Sequence, residues 1–359
     1  MISQIIFETS FAGLIIYLVW VCFLLALGQN SQSDKVELGF DQSYRLVILV
    51  PALNEEAVIK QTMQLFLKET HQLENVKMVI IDDASDDQTA AVVRRFISQT
   101  GQERIQLLQR QHPNAQTGKG NALNWAYHQL ALQDGDPKRL ICGVLDADAY
   151  MTEKSYRKVL QYFADDEDLD LLQTRVGMLE TNNWLQLMQD IEFTVINDWI
   201  QNTRNRLGNA AASGNGQFIR VGSVASSRPW GNALLEDFEF STRFLMQGKK
   251  TQYASDALVY QEAIAKARPF IRHRSRARRA GTAATAPTAP TDSGCKRVVV
   301  VIVVHVHYSG WYGYNYRQSC SMHWLPRVHH GWHSFYGMLL LKKTRLKGHK
   351  SRLRRVFKW

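Results

Sequence analysis

The sequence predicts an α/β fold built on a mostly parallel sheet. Two observations carry that expectation. From Tyr44 to Leu145, short apolar runs alternate with stretches of helical spacing. Such a βαβαβ rhythm yields a parallel sheet with helices on both faces. The apolar runs also end in carboxylates, amides and glycines, at the edge where open α/β sheets gather ligands. A chain of 359 residues can bury a large core and hold more than one domain.

Taken in order, the first element is the run Phe11–Gly28, which contains no charged residue. It meets the length of a transmembrane helix. Met1–Ser10 holds no Lys or Arg, whereas a cleaved signal peptide has a positive leader, so residues 1–28 read as a membrane anchor. Lys35 and Arg45 follow the run, which places the next domain on the cytoplasmic side of the cell membrane. Residues 29–43 read as a linker.

Strands are expected at Arg45–Val50, Val76–Ile81, Ile105–Leu108 and Leu140–Leu145. Helices are expected at Glu55–Lys68, Asp86–Ser98 and Gly120–Leu132. Four features sit at or just beyond strand ends. In Pro51-Ala52-Leu53-Asn54-Glu55-Glu56, Asn54 suits a helix cap and Glu56 the positive end of the dipole. In Asp82-Asp83-Ala84-Ser85-Asp86-Asp87, Ser85 or Asp86 can cap. Asp82 and Asp83 repel each other unless a ligand uses them. Thr117-Gly118-Lys119-Gly120-Asn121-Ala122 combines small residues with a cation suited to phosphate. It lacks the first Gly and the Ser/Thr of a P-loop.

The fourth feature is Asp146-Ala147-Asp148, at the end of the run Leu140–Leu145. Residues i and i+2 of an extended chain share a face. Asp146 and Asp148 are therefore expected to converge on one hard cation, Mg²⁺ or Mn²⁺. Alone, the pattern reads first as a solvated turn after a strand. With the other three features it points to a nucleotide cleft.

The ordered set Asn-Glu-Glu, Asp-Asp-x-Ser-x-Asp, Gly-Lys-Gly-Asn-Ala-Leu and Asp-Ala-Asp resembles the family 2 inverting nucleotide-sugar glycosyltransferases. Downstream, Gln173-Thr174-Arg175, Ser213-Gly214-Asn215-Gly216 and Leu235-Glu236-Asp237 are similar to motifs of its processive membrane polysaccharide synthases. These include cellulose, hyaluronan, poly-N-acetylglucosamine and β-glucan synthases. Ile271-Arg272-His273-Arg274-Ser275-Arg276-Ala277 stands where their Gln-x-x-Arg-Trp motif is expected. The resemblance covers residues 44–276 and implies a GT-A-like nucleotide-sugar-binding domain there.

It also implies roles. Asn54, Glu55, Asp82 and Asp83 contact the uridine of a UDP-sugar, and Lys119 assists the donor. Asp146 and Asp148 hold the donor sugar and a metal on the diphosphate. Gly214, Asn215, Gly216 and Gln217 form the acceptor side. Asp237, beside Glu236, is the general base, and Arg274 and Arg276 steady the diphosphate. The chemistry agrees: negative charge grows on the departing diphosphate, and a cation with arginines offsets it. The acceptor hydroxyl must shed a proton as it attacks, which one placed carboxylate accepts. A single base without a second nucleophile fits inversion. The implied acceptor is a growing β-linked polysaccharide. Alternatives are a non-processive transferase to a lipid or short acceptor, and an inactive membrane-tethered binding protein.

Trp184–Leu207 reads as one long amphipathic helix, with Trp184, Leu187, Met188, Ile191, Val195 and Trp199 near helical spacing. Its apolar face is expected against the sheet or at a membrane interface. Trp184 and Trp230 either stack on sugar rings or pack internally.

Beyond Arg276 the pattern stops. Ala277 stands for the expected Trp, and His273 for Gln. Residues 271–359 hold 18 of the 43 Lys and Arg and one acid, Asp292, giving the tail a charge of +17 and residues 1–270 a charge of −7. The basic run Lys342–Lys358 suggests a solvated tail or contact with anionic lipid or RNA. The expected partners are membrane lipid, donor and acceptor, without nucleic acid. The six histidines between His305 and His333 show no ordered metal-ligand spacing. The four cysteines are scattered, which excludes a disulfide framework or a zinc cluster. The tail's lack of periodicity predicts that residues from about 277 arise from a reading-frame change. Arg278-Arg279-Ala280 is what codons for Ala-Gln-Gly yield when read one nucleotide late. On this reading the chain binds donor through its front half and does not polymerise or export a glycan.

Overall fold

A computed structural model describes residues 2–28, 43–101, 103–131, 136–224, 228–231, 236–272 and 274–275. The expectations for most of the 29–43 linker, Leu235, His273, Arg276 and the 277–359 tail lie outside the described residues.

Helix α1 (Ile2–Leu27) is followed by β1 (Arg45–Ala52), α2 (Ile59–Glu69), β2 (Val76–Asp82), α3 (Thr89–Thr100), β3 (Ile105–Gln109), α4 (Lys119–Ala131) and β4 (Leu140–Val144). Then come β5 (Tyr150–Met151), α5 (Glu153–Asp165), β6 (Leu169–Met178), α6 (Trp184–Ile191), a π-helical segment (Glu192–Asn197), α7 (Asp198–Arg206), β7 (Gln217–Arg220), α8 (Glu236–Met246) and β8 (Lys250–Gln261). The eight strands form one sheet in the order β3-β2-β1-β4-β7-β6-β8-β5. The half β3-β2-β1-β4 is parallel throughout. Antiparallel β7 joins it to the parallel pair β6 and β8, and the short β5 runs antiparallel to β8.

The sheet is covered on both faces because its central strands are apolar on both. In β1, Leu46, Ile48 and Val50 pack with Ile59, Met63 and Phe66 of α2 and Val159, Leu160 and Phe163 of α5. Val47 and Leu49 point the other way, as alternate strand residues must. They join Leu123, Ala126, Tyr127 and Leu130 of α4, with Trp230, Phe240 and Phe244. Continuous apolar strands are the mark of such doubly covered sheets.

Two helix starts differ from expectation. α2 begins at Ile59 rather than Glu55, because Asn54 adopts a left-handed backbone (φ 62°) and its Oδ1 accepts the Asp86 amide. Asn54 is therefore a loop tie and not a cap. α3 begins at Thr89, since Asp87 Oδ1 accepts the Thr89 amide and hydroxyl. The expected single helix over 184–207 is three segments, with a π-helical turn in the middle. Its buried face is mostly polar, and of the expected apolar set in α6 only Ile191 is buried. In α6 the buried residues are Gln186, Gln189, Asp190 and Ile191, whereas Trp184 is 69% exposed and Leu187 and Met188 are half-buried.

α1 is a 26-residue helix. Gly28, just past its end, packs so closely on the Trp199 indole of α7 that a Cβ there would meet Nε1 at 1.8 Å. Arg206 Nη1 donates to Ala26 O at 3.2 Å. Several α1 side chains are outside the described set, and among the described residues no helix is long and apolar enough to cross a membrane. The anchor expected over 1–28 rests on the sequence run itself.

Candidate active site

The loops after β1 and β2 are laced together. The Asn54 amide donates to Ser85 Oγ (3.0 Å), the Glu55 amide to Thr89 Oγ1 (2.8 Å) and the Glu56 amide to Asp87 Oδ2 (3.2 Å), while Gln88 N donates to Glu56 Oε2 (2.8 Å). Asp82 and Asp83 are both buried. Their expected repulsion is relieved inside the protein. Gln109 Nε2 donates to Asp82 Oδ2 (3.1 Å), and Arg110 Nη1 forms an ion pair with Asp83 Oδ1 (2.6 Å). Arg110 also donates to Thr117 Oγ1 (3.2 Å) and to the Asn114 carbonyl, tying the lysine-bearing loop to the same corner.

Asp146-Ala147-Asp148 follows β4 as a turn, closed by Ala149 N donating to Asp146 O (3.0 Å). The pair is therefore not extended, as strand parity had predicted. A tight turn keeps the two carboxylates close instead. Burial, then the Asp146 charge, pushes the Asp148 carboxyl up to about 6, with Glu262 adding to it. Glu55 is also raised, first by burial and then by Asp148, Asp146, Asp87 and Glu262. Four carboxylates from the ends of β1, β4 and β8 thus share one field. Lys119 Nζ lies 2.6 Å from Asp146 Oδ1 and 4.0 Å from Glu236 Oε1. Its ammonium is held charged, Asp146 and Glu236 outweighing the effect of burial.

Glu236 and Asp237 open α8. Burial pushes the Glu236 carboxyl up to about 7, with Asp237 and Asp146 adding to the shift and Lys119 opposing it. Asp237 faces the glycine turn: a Cβ on Gly214 (φ 81°) would stand 3.3 Å from Asp237 Oδ2. That turn is set by β6. Gln173 Nε2 donates to Asn215 O (2.9 Å), Gln173 Oε1 accepts from Ser213 N (2.9 Å), and Thr174 Oγ1 donates to Gly216 O (3.0 Å). Gly216 (φ 72°) has no room for a side chain, since Thr174 Oγ1 would be 2.3 Å from its Cβ. Asn215 is buried. Its Oδ1 accepts the Asp146 amide (3.3 Å), and its Nδ2 donates to Gln261 Oε1 (2.7 Å). Gln217 is buried, with Nε2 donating to Gly214 O (3.3 Å). The turn thus links the Asp146 loop to α8.

Arg274 forms an ion pair with Glu192 of the π-helical segment, Nη2 to Oε2 at 2.6 Å. Trp230 is 2% exposed and stacks edge-on with Tyr127, so it belongs to the core.

The sequence of residues 44–282 matches the family model described as glycosyltransferase like family 2. The chain belongs to that family. It is 28% identical over 226 residues to a beta-monoglucosyldiacylglycerol synthase of Synechocystis sp., covering 62% of this chain and 45% of that protein. It is 33% identical over 104 residues to the probable glycosyltransferase YdaM of Bacillus subtilis, covering 29% of this chain and 23% of that one. The chain therefore spans less than half the length of these relatives. Among solved structures, the mannosyltransferase PcManGT from Pyrobaculum calidifontis, in complex with GDP-Man and Mn²⁺, superposes with a TM-score of 0.53 at 16% identity, over 75% of this chain and 73% of that chain. Residues 1–349 of Staphylococcus aureus TarS give 0.50 at 16% identity, over 76% and 75%. The likeness establishes a GT-A fold for this glycosyltransferase domain.

Among the described residues, no three His, Cys, Asp or Glu side chains form a closed metal cage. The donor set nevertheless fits a hard divalent cation. Mg²⁺ is usually held by one or two carboxylates together with substrate phosphates. The mutual repulsion around Asp148 is the field a cation relieves.

Three site residues escaped the sequence reading. Arg110 carried no local signal: Asp82 is the β2 partner of Gln109 in β3, and only that pairing makes Asp83 and Arg110 leave adjacent strands together. Glu262 follows β8, whose Tyr260 pairs with Tyr150, two residues past Asp148. Glu192 had no local signal.

Proposed function

We propose that this glycosyltransferase transfers a sugar from a UDP-sugar, with inversion and with a divalent metal, to the hydroxyl of a lipid-anchored acceptor at the cell membrane. The observation that carries the reading is the placement of Lys119 between Asp146 of the donor side and Glu236 of the base pair. It sets an acid-rich donor pocket against a carboxylate pair on α8, of which Glu236 is buried and Asp237 half-buried.

In this reading Asn54, Glu55, Asp82 and Asp83 form the nucleoside side. Asp148, with Asp146, would hold Mg²⁺ or Mn²⁺, with Glu55 and Glu262 nearby. When bound, the cation supplies positive charge to the diphosphate as the glycosidic bond breaks. Lys119 keeps Asp146 oriented and neutralised. Arg274, with Arg276, offsets charge at the leaving group. Asp237 takes the proton of the acceptor hydroxyl while that oxygen attacks the anomeric carbon from the face opposite the diphosphate. Glu236, pushed up to about 7 by burial, is partly protonated near neutrality, which lightens the negative charge beside Asp237. Gly214, Asn215, Gly216 and Gln217 shape the acceptor side.

A lipid acceptor is favoured over a growing polysaccharide by the relatives named beta-monoglucosyldiacylglycerol synthase. The exposed apolar side chains of α1, such as Leu14, Ile16 and Val19, support a membrane anchor, as does the half-exposed apolar side of α6. With Lys35 and Arg45 following the anchor, the domain faces the cytoplasm. Protease added to sealed cells should then leave it intact, and ready digestion would refute this topology.

The deciding experiment incubates membranes containing the full chain with radiolabelled UDP-glucose, UDP-N-acetylglucosamine or UDP-glucuronate and Mn²⁺. Label in the organic phase, carried on a lipid with one or a few sugars, supports the proposal. Label in a long water-soluble polymer restores the polysaccharide reading. UDP binding without turnover of any donor makes the chain a tethered binding protein.

A further inference from the structure

An i, i+3 ridge of the helix over 184–197 carries an amide or carboxylate at each step, from its cap onward: Asn183, Gln186, Gln189 and Glu192. All four reach the same stretch of chain after β8. Asn183 Nδ2 donates to Ala265 O (3.2 Å) and Gln186 Nε2 to Ala263 O (3.2 Å). Gln189 makes a two-way clasp, with Nε2 donating to Ile264 O (2.9 Å) and Oε1 accepting from Ile264 N (3.1 Å). Glu192 Oε2 takes Arg274 at 2.6 Å, and the Arg274 guanidinium also lies over the Phe270 ring, 5.2 Å from its centroid. Residues 262–265 form no strand, so the helix side chains supply partners that a sheet otherwise would. Gln186, Gln189 and Glu192 are 9% exposed or less, and buried amides matched on both sides fix geometry more firmly than apolar contact does. Glu192 lies in the π-helical segment, a local widening that often marks functional positions. One end of the strap holds Glu262 in the field of Asp148, and the other holds Arg274.

We infer that this ridge is a positioning device for the donor site, and that Glu192 is a positioning residue which aims Arg274 at the diphosphate. The inference rests on the donor role proposed above for Arg274. Glu192 itself does not touch the donor; it acts through the guanidinium it holds.

The test is calorimetric binding of UDP and of uridine, with Mn²⁺ present, to the full chain and to Glu192→Gln, Glu192→Asp, Arg274→Gln and the double variant Glu192→Gln/Arg274→Gln. Uridine lacks the diphosphate, so it reports on the nucleoside side alone. Glu192→Gln should weaken UDP by roughly three- to tenfold, leave uridine unchanged, and add little on top of Arg274→Gln, as coupled residues do. Glu192→Asp should recover part of the loss. Amide hydrogen exchange over residues 262–272 should quicken in Gln189→Leu, without change in the β1 and β2 peptides. A loss with Arg274→Gln but none with Glu192→Gln overturns the positioning role. Equal weakening of UDP and uridine by Glu192→Gln also overturns it, as a general structural effect. No loss with Arg274→Gln removes the donor role of Arg274 and the inference with it. No UDP binding by the unaltered chain refutes the proposed function itself.

Discussion

Arg110 and Asp83 form an ion pair of 2.6 Å in which the side chains are 6% and 10% exposed. The pair sits where β2 and β3 release their chains side by side, and it joins the Asp82-Asp83 corner to the Thr117–Lys119 loop. Two adjacent carboxylates that looked in the sequence like a call for a ligand are thus stabilised in part by the protein itself.

Removing one partner of a buried pair leaves the other charge uncompensated, which costs about 3–5 kcal/mol. Arg110→Met should therefore lower the unfolding free energy by about that much. Urea denaturation measures it, and a change below about 1 kcal/mol would mean that Asp83 is solvated after all.

Asp148→Asn should abolish the dependence of UDP affinity on Mn²⁺ or Mg²⁺, while the fold survives because the amide keeps the shape of the carboxylate. Titration of UDP with and without metal reads this directly. Unchanged metal dependence in this variant would remove Asp148 from the donor site.

Asp237→Asn should keep UDP affinity within about twofold and cut transfer by a factor on the order of 10² to 10⁴, because the amide cannot accept the acceptor's proton. A variant that retains most of the turnover would exclude Asp237 as the base.

The carboxyls of Asp148 and Glu236 are raised by burial to about 6 and about 7. In the metal-free protein the folded state then holds more protons than the unfolded chain between about pH 4 and pH 7. Their contribution to stability is fully present below about pH 4 and is lost as pH rises through 6 and 7. The melting temperature of metal-free protein should fall from pH 5 to pH 8, and Mn²⁺ should reverse part of the fall at pH 8. Asp148→Asn should flatten the profile near pH 6, and a profile identical to that of the unaltered chain would contradict the raised carboxyl.

The family match ends at residue 282, close to where the charge changes sign. If residues from about 277 come from a frame change, another frame of the gene past codon 276 should encode Trp followed by apolar runs of about 20 residues. Sequencing the gene settles this, and a gene without such a frame leaves the basic tail as a natural one.

Much of the molecule was legible in the sequence because it is governed by local periodicity. The apolar runs that became β1, β2 and β4 are buried on both faces, and such strands need only a continuous hydrophobic stretch bounded by turn residues. The order of the motifs along the chain identified the family, since the first motifs lie at or beyond the ends of successive strands of a parallel sheet. Side-chain partners across the sheet could not be read this way. Arg110 lies 27 positions from Asp83, and Glu192 lies 82 from Arg274. Only the pairing of β2 with β3 and the run of the strap along α6 bring these charges together. The buried polar face of α6 was not legible for the same reason. Hydrophobic spacing leaves the Leu187 and Met188 face either against the sheet or at a membrane interface, and the neighbour of the buried face is a bare stretch of backbone. Unpaired amide and carbonyl groups need hydrogen-bond partners more than they need apolar cover, so Gln186 and Gln189 are the residues buried. The sequence by itself determined the first four strands, the helices between them and the family to which their motifs belong. The tertiary structure decided which of their residues answer one another's charge, because a Coulombic or hydrogen-bonded pair depends on distance in space and not along the chain.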